Sequence, residues 1–309
     1  MNASLTSDTL TFTVFADIGS VGYVLLVVAL LAYLATVLAS GTVMILIFVD
    51  TSLHKPMYIF LFCLILNGLI GSTAVWPKIM DILSTNSPLI SWKGCIAQVF
   101  FVLSYGVCNY SLLAVMAYDR FVSIFQPLQY HTIMTPLKVK QLMFVANLMP
   151  AAVMLGQTYI ASRLPLCRFE VHKIFCASLA VVSLSCSGSQ LSDLYGIINT
   201  ILFVVLPVFL ILLSYVKIIV LSLKASTNAR KKVFETCSPH IITFVNFSLV
   251  SLFSLVYNRY NSFIPAEANI VLSVNYILFP PLLHPIIYGI KTQEIRQSFS
   301  KVIKRMLLH

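Results

Sequence analysis

Asp119 and Arg120 stand side by side in LLAVMAYDRFVSIF, residues 112–125, an acid and a base in a run otherwise nearly free of polar groups. Such a pair can hold a proton or form a salt bridge whose strength depends on how little water surrounds it. The other residues able to do chemistry do not gather around it. His131, His172 and His240 are scattered along the chain with no nucleophile visibly paired to any of them, so no catalytic set is in view and no enzyme is expected. The seven cysteines lack a tight Cys-x-x-Cys spacing, and His172 is the one further soft ligand in their longest loop, which argues against a metal centre. Neither metal nor cofactor is called for.

The elements that must position this pair are long and apolar. Of 309 residues, 59% are hydrophobic and 10% charged, and the mean hydropathy is +0.93; a soluble domain is typically about 25% charged. Stretches without Asp, Glu, Lys or Arg run over 18–49, 56–77, 94–118, 141–162, 194–216, 236–258 and 268–290. A bilayer core of about 30 Å needs about 20 helical residues, and backbone amides in lipid must be paired internally, so each stretch predicts a membrane-spanning helix. An eighth window, 174–192, is free of charge too, but it is serine-rich and short, and inserting it would reverse the side of everything that follows.

With seven spans and the amino terminus outside, fourteen of the twenty Lys and Arg residues fall on the cytoplasmic side, from Lys55 through Arg120, Lys138, Lys140 and Lys217 to the tail. The inner face then carries all of the net charge of +10, as the positive-inside rule expects. The pI of 9.3 therefore reflects loops facing anionic lipid, not a nucleic-acid partner. The start, MNASLTSDTLTF, has no basic n-region, so the first span is expected to serve as the insertion signal.

Cys63, Cys108 and Cys237 fall within spans or at their inner ends, where a small packed residue is the simplest role. Cys95, Cys167, Cys176 and Cys186 fall outside, in an oxidising compartment where an even count favours disulfides; three pairings are open. Asn2-Ala3-Ser4 is a glycosylation sequon on the outer tail, while the matches at Asn109 and Asn246 lie inside spans.

Four phrases then stand in register with the helices: SLHKPMYIF (52–60), MAYDRFVSIFQPLQYHTIM (116–134), KVFETCSPH (232–240) and PPLLHPIIYGIKTQEIR (280–296). Together they resemble the odorant receptors, a branch of the rhodopsin-like G-protein-coupled receptors, and most closely the fish-type ones. The resemblance implies an all-α fold, a seven-transmembrane helix bundle with a short cytoplasmic amphipathic helix 8. It divides the chain into an extracellular tail (1–22), the receptor domain (23–290), and helix 8 with the tail (291–309). It pairs Cys95 with Cys176 and Cys167 with Cys186. It makes Arg120, beside Asp119, the cytoplasmic switch, with Tyr215 and Tyr288 as later partners and His240, His284 and Pro285 in the moving inner ends. The implied partners are a small-molecule odorant, a heterotrimeric G protein of the olfactory Gs type that raises cAMP, and membrane lipid. The implied location is the plasma membrane, crossed several times, with the carboxyl terminus cytoplasmic.

Departures from the family pattern are specific. Ser40 stands where rhodopsin-like receptors usually carry Asn, Gly68 where an Asp usually anchors a sodium ion, and His284-Pro285 where Asn-Pro is usual. The third span carries no acid for an amine; it offers Val102, Leu103, Gly106, Val107 and Tyr110, a stripe at helical spacing that suits the wall of an apolar pocket. Asn199, Thr200, Ser251 and Leu255 fall at the matching depth of spans five and six, and a few convergent polar groups would orient a ligand there. Arg259, in YNRYN, could pair with an acidic group, so an acidic or polar odorant is expected. The alternative is a seven-span transporter or membrane enzyme, weakened because no span carries a charge in its interior.

Overall fold

The computed structural model describes residues 9–15, 19, 21–186, 190–224, 226–259 and 266–307; the side chains of 229, 232, 255–259, 266–269 and 305–307 are outside that description. Among the described residues, seven helices are long and apolar enough to cross a bilayer. Spans one to four are Val21–Val49, Pro56–Thr85, Trp92–Phe125 and Pro136–Ser162. Spans five to seven are Gln190–Leu223, Thr227–Arg259 and Ala266–Lys291. Spans two to seven run past their charge-free cores, because helical hydrogen bonding continues into the polar layer and long basic side chains reach back to water. Among its described residues the window 174–192 holds a short helix, Ser178–Ser183, and the first residues of span five, Gln190–Ser192, so it does not cross a bilayer by itself.

Start signals account for several boundaries. Pro56 and Pro136 occupy first-turn positions of spans two and four, where a missing N–H is no loss. The Ser91 hydroxyl accepts from Gly94 N at 3.1 Å at the start of span three, and Thr135 accepts from Lys138 N at 3.3 Å. Spans four and five each widen into a π turn, Phe144–Leu148 and Ile201–Val205. Each lies just upstream of a proline, Pro150 or Pro207, that cannot donate into the preceding turn.

One end of the bundle is a lid. Strand β1 (Thr9–Phe12) lies between β2 (Leu89–Ser91), to which it is antiparallel, and β3 (Glu170–Val171), to which it is parallel. Its alternate residues Leu10 and Phe12 are buried among Trp76, Ile79, Val99, Val102 and Phe175. The segment read as a plain outer tail thus closes part of the mouth, and a small sheet joins an otherwise helical fold. Cys95 is joined to Cys176 and Cys167 to Cys186, at sequence separations of 81 and 19. Gln98 holds the first bridge in place: its Oε1 accepts from Cys176 N at 3.1 Å while its Nε2 donates to Ala74 O at 3.2 Å.

At the other end, the tail helix Gln293–Leu307 turns away from span seven. Ile295 and Ser298 face inward while Arg296, Lys301 and Lys304 are exposed, the pattern of a helix lying on a membrane surface. Between the ends, spans two and three approach closely at Gly71, where a Cβ would come within 2.6 Å of the Tyr105 ring. Gly71→Ala is therefore expected to cost about 1–3 kcal/mol, read as a lower unfolding temperature of the detergent-solubilised protein; an unchanged temperature would show that span two can retreat freely.

Candidate functional site

The Asp119 carboxylate is fully buried at the end opposite the lid. Arg120 Nη2 donates to its Oδ2 at 3.1 Å, and the Tyr130 hydroxyl donates to its Oδ1 at 2.7 Å. Burial and the neighbouring carboxylate push the Tyr130 phenol well above its ordinary range, so it keeps its proton and remains a donor. Both oxygens of the acid are thus occupied, whereas the Arg120 Nε is buried without a partner among the described residues. An isolated buried carboxylate would be costly, and this pairing is what makes it tolerable.

A second tie lies beside the first. His240 Nε2 is 3.0 Å from Leu113 O, and its Nδ1 is 2.6 Å from the Tyr215 hydroxyl. A carbonyl only accepts, so Nε2 carries the proton and Nδ1 of the neutral ring accepts from Tyr215. One imidazole on span six thereby joins spans three and five. Pro239 precedes it within the helix, and the Thr243 hydroxyl donates to Pro239 O and His240 O at 3.1 and 2.9 Å. Tyr288 and His284, on span seven, are buried nearby, the Tyr288 hydroxyl close to that of Thr243 and His284 Nε2 without a partner among the described residues. Pro285 lies within the same helix between them.

Aromatic rings connect this end to the region below the lid. Phe247 on span six meets Tyr110 at 4.8 Å, Tyr105 at 5.9 Å, Tyr276 at 6.2 Å and His284 at 6.5 Å between ring centres. Displacement of Phe247 must therefore disturb spans three and seven together.

The candidate pocket residues divide. Val102 packs under the lid, and Leu103 bridges that cluster and the one formed by Val107, Cys108, Met154 and Phe203. Gly106 leaves room for the Tyr276 hydroxyl, which a Cβ would meet at 2.6 Å. Tyr110 lies against the hydroxyls of Ser248 and Ser251, and the Ser251 side chain is buried. Asn199 is buried but donates to Gln157 Oε1 at 2.9 Å, tying span five to span four. Thr200 points the other way: it is exposed on the bundle's outer face, with its hydroxyl turned back to Gly196 O at 2.8 Å. The structure does not bring it to the others, because one residue past Asn199 is a rotation of about 100°. The Leu255 and Arg259 side chains and Asn2 lie outside the described residues.

Sequence reading passed over Tyr105, Phe247 and Tyr276, whose importance comes from packing between spans, and Tyr130, eleven residues from the acid it serves. Leu128 was also missed. It is 98% exposed in the loop beyond span three, a large apolar side chain two residues before Tyr130, and its sequence signal is its place in QPLQYH.

The sodium site implied by a rhodopsin-like fold does not fit these residues. Gly68 faces Pro281 and supplies no carboxylate, and Asn109 Oδ1 and His284 Nε2, buried without partners among the described residues, belong to neutral groups that do not balance a cation. No group of metal-ligating side chains occurs among the described residues.

The profile of the olfactory receptor family matches residues 29–309. Olfactory receptor 10A6 of Homo sapiens is 35% identical over 291 residues, covering 92% of this chain and 91% of that protein. Olfactory receptor 1E16 of Mus musculus is 35% identical, with 88% and 87% covered. Olfactory receptor-like protein OLF3 of Canis lupus familiaris is 33% identical, with 91% and 89% covered. These matches show the family and leave the fish-type branch within it untested. The chain belongs to the olfactory receptor family of rhodopsin-like G-protein-coupled receptors, which are not enzymes.

Proposed function

We propose that this receptor binds a small acidic or polar odorant below the lid and responds by opening its opposite end to a heterotrimeric G protein of the Gs type, raising cAMP. The lid end is extracellular and the Asp119–Arg120 end cytoplasmic, in the plasma membrane; the two disulfides at one end and the basic loops at the other support this orientation. The ligand lies between Leu103, Gly106, Val107, Tyr110 and Ser251, with Arg259 as partner for an acidic group.

The observation that carries the reading is the tie from Tyr215 through His240 to Leu113, which closes three spans over the Arg120 side of the bundle. A ligand that favours the open arrangement displaces Phe247, span six swings at Pro239, and the tie breaks. Tyr215 is released, and Arg120 gains Tyr288 as a neighbour. Differential affinity of about 1.4 kcal/mol suffices for a tenfold shift in population.

Leu128 then supplies an apolar contact for the G protein. Burying a leucine contributes about 1.5–3 kcal/mol, so Leu128→Ala is expected to raise the G-protein concentration for half-maximal nucleotide exchange by about tenfold or more, with odorant affinity unchanged in the absence of G protein. Unaltered exchange would remove Leu128 from the interface. The reading as a whole is tested by odorant-stimulated cAMP in cells expressing the parent chain at matched surface levels.

A further inference from the structure

We propose that the cytoplasmic end of span four holds one anionic glycerophospholipid, in a groove separate from the tail helix. The groove has a volume of about 520 Å³ and is lined by Lys138, Lys140, Gln141, Leu142, Phe144 and Val145. Its composition changes along its length. Two ammonium groups and an amide come first, followed by apolar side chains, of which Phe144 and Val145 are exposed. Val145 is seven helical steps beyond Lys138, a rise of about 10 Å, which matches the descent from a headgroup phosphate to the upper acyl chain. Phe144 begins the π turn of this span, so the exposed apolar floor lies where the helix widens.

The charges fit an anion, and no acidic side chain among the described residues pairs with them. No Asp or Glu occurs between Arg120 and Phe169, and neither lysine is in an ion pair among the described residues. The amino-terminal dipole of the same helix adds to the positive potential, and its first turn is capped by Thr135. Lys138 is half-buried, with its stem available to cover the acyl chain while its ammonium reaches the phosphate. An anionic lipid of the cytoplasmic leaflet supplies both halves of the match. The inference rests on the proposed orientation only for the leaflet named.

The full-length receptor in nanodiscs, with photoactivatable phosphatidylserine or phosphatidylcholine carrying the reactive group on the acyl chain, tests it without any signalling readout. Labelling mapped to 138–145 is expected to be several-fold stronger with phosphatidylserine and to fall to the phosphatidylcholine level in the Lys138→Gln, Lys140→Gln double variant. Lys138→Arg with Lys140→Arg is expected to restore it, and Lys301→Gln with Lys304→Gln to leave it intact. Equal labelling by the two lipids, labelling that survives loss of both charges, loss of labelling in the Lys301 and Lys304 variant, or full competition by soluble glycerophosphoserine would each overturn the proposal.

Discussion

Arg120→Ala is expected to abolish G-protein activation while odorant binding persists. Arg120 lies at the cytoplasmic end of the proposed path, far along span three from Tyr110, so its loss removes output rather than recognition. Hydrogen bonds to a charged group are each worth about 1.5–3 kcal/mol, so losing those made in the open state predicts a fall of roughly 100-fold or more in stimulated nucleotide exchange. The substitution also strands the buried Asp119 carboxylate, and breaking a buried pair costs about 3–5 kcal/mol. Low expression could then imitate loss of function. The Asp119→Asn, Arg120→Ala double variant separates the two effects, because it removes the stranded charge: its surface level is expected to recover and its signalling to stay absent. Signalling that recovered with expression would show that Arg120 serves folding alone.

His240→Leu is expected to act in the opposite direction. His240 makes two hydrogen bonds that hold spans three, five and six together in the closed arrangement. Net contributions of about 0.5–1.5 kcal/mol for each of the two bonds predict a shift of roughly 5- to 150-fold toward the open state. Basal cAMP per surface receptor reads it. Tyr215→Phe removes one of the bonds and keeps the ring stacked on His240, so a smaller rise is expected unless the Tyr215 hydroxyl also supports the open state, in which case the stimulated maximum falls as well. A drop in basal signalling for His240→Leu, with normal surface levels, would reverse the role assigned to the tie.

The bundle was legible because lipid imposes a simple requirement: about 20 residues without charge per crossing. The short interval between Asp50 and Lys55 marks the turn after span one directly. The strand Thr9–Phe12 was not legible, since its partners lie about 80 and 160 residues away and its four residues carry no long pattern. The site was legible where local motif sufficed, as at Asp119 and Arg120. It was obscure where partners came from other spans. Nothing in the sequence says that His240 meets both Tyr215 and Leu113, or that Phe247 touches four rings. Thr200 shows the limit of depth as a guide: it sits at the same level as Asn199, yet the helix turns it toward lipid.

The central claim is that ligand occupancy below the lid is converted into opening around Arg120. It is tested most directly by a panel of acidic and neutral polar odorants applied to the parent, Arg120→Ala and Arg259→Ala at equal surface density, with cAMP as the readout. A saturable, receptor-dependent rise is expected for at least one odorant, absent in Arg120→Ala. A weakened response to acidic odorants is expected in Arg259→Ala. An odorant that raises the receptor's unfolding temperature yet drives no nucleotide exchange in the parent, or a full cAMP response in Arg120→Ala, would contradict it.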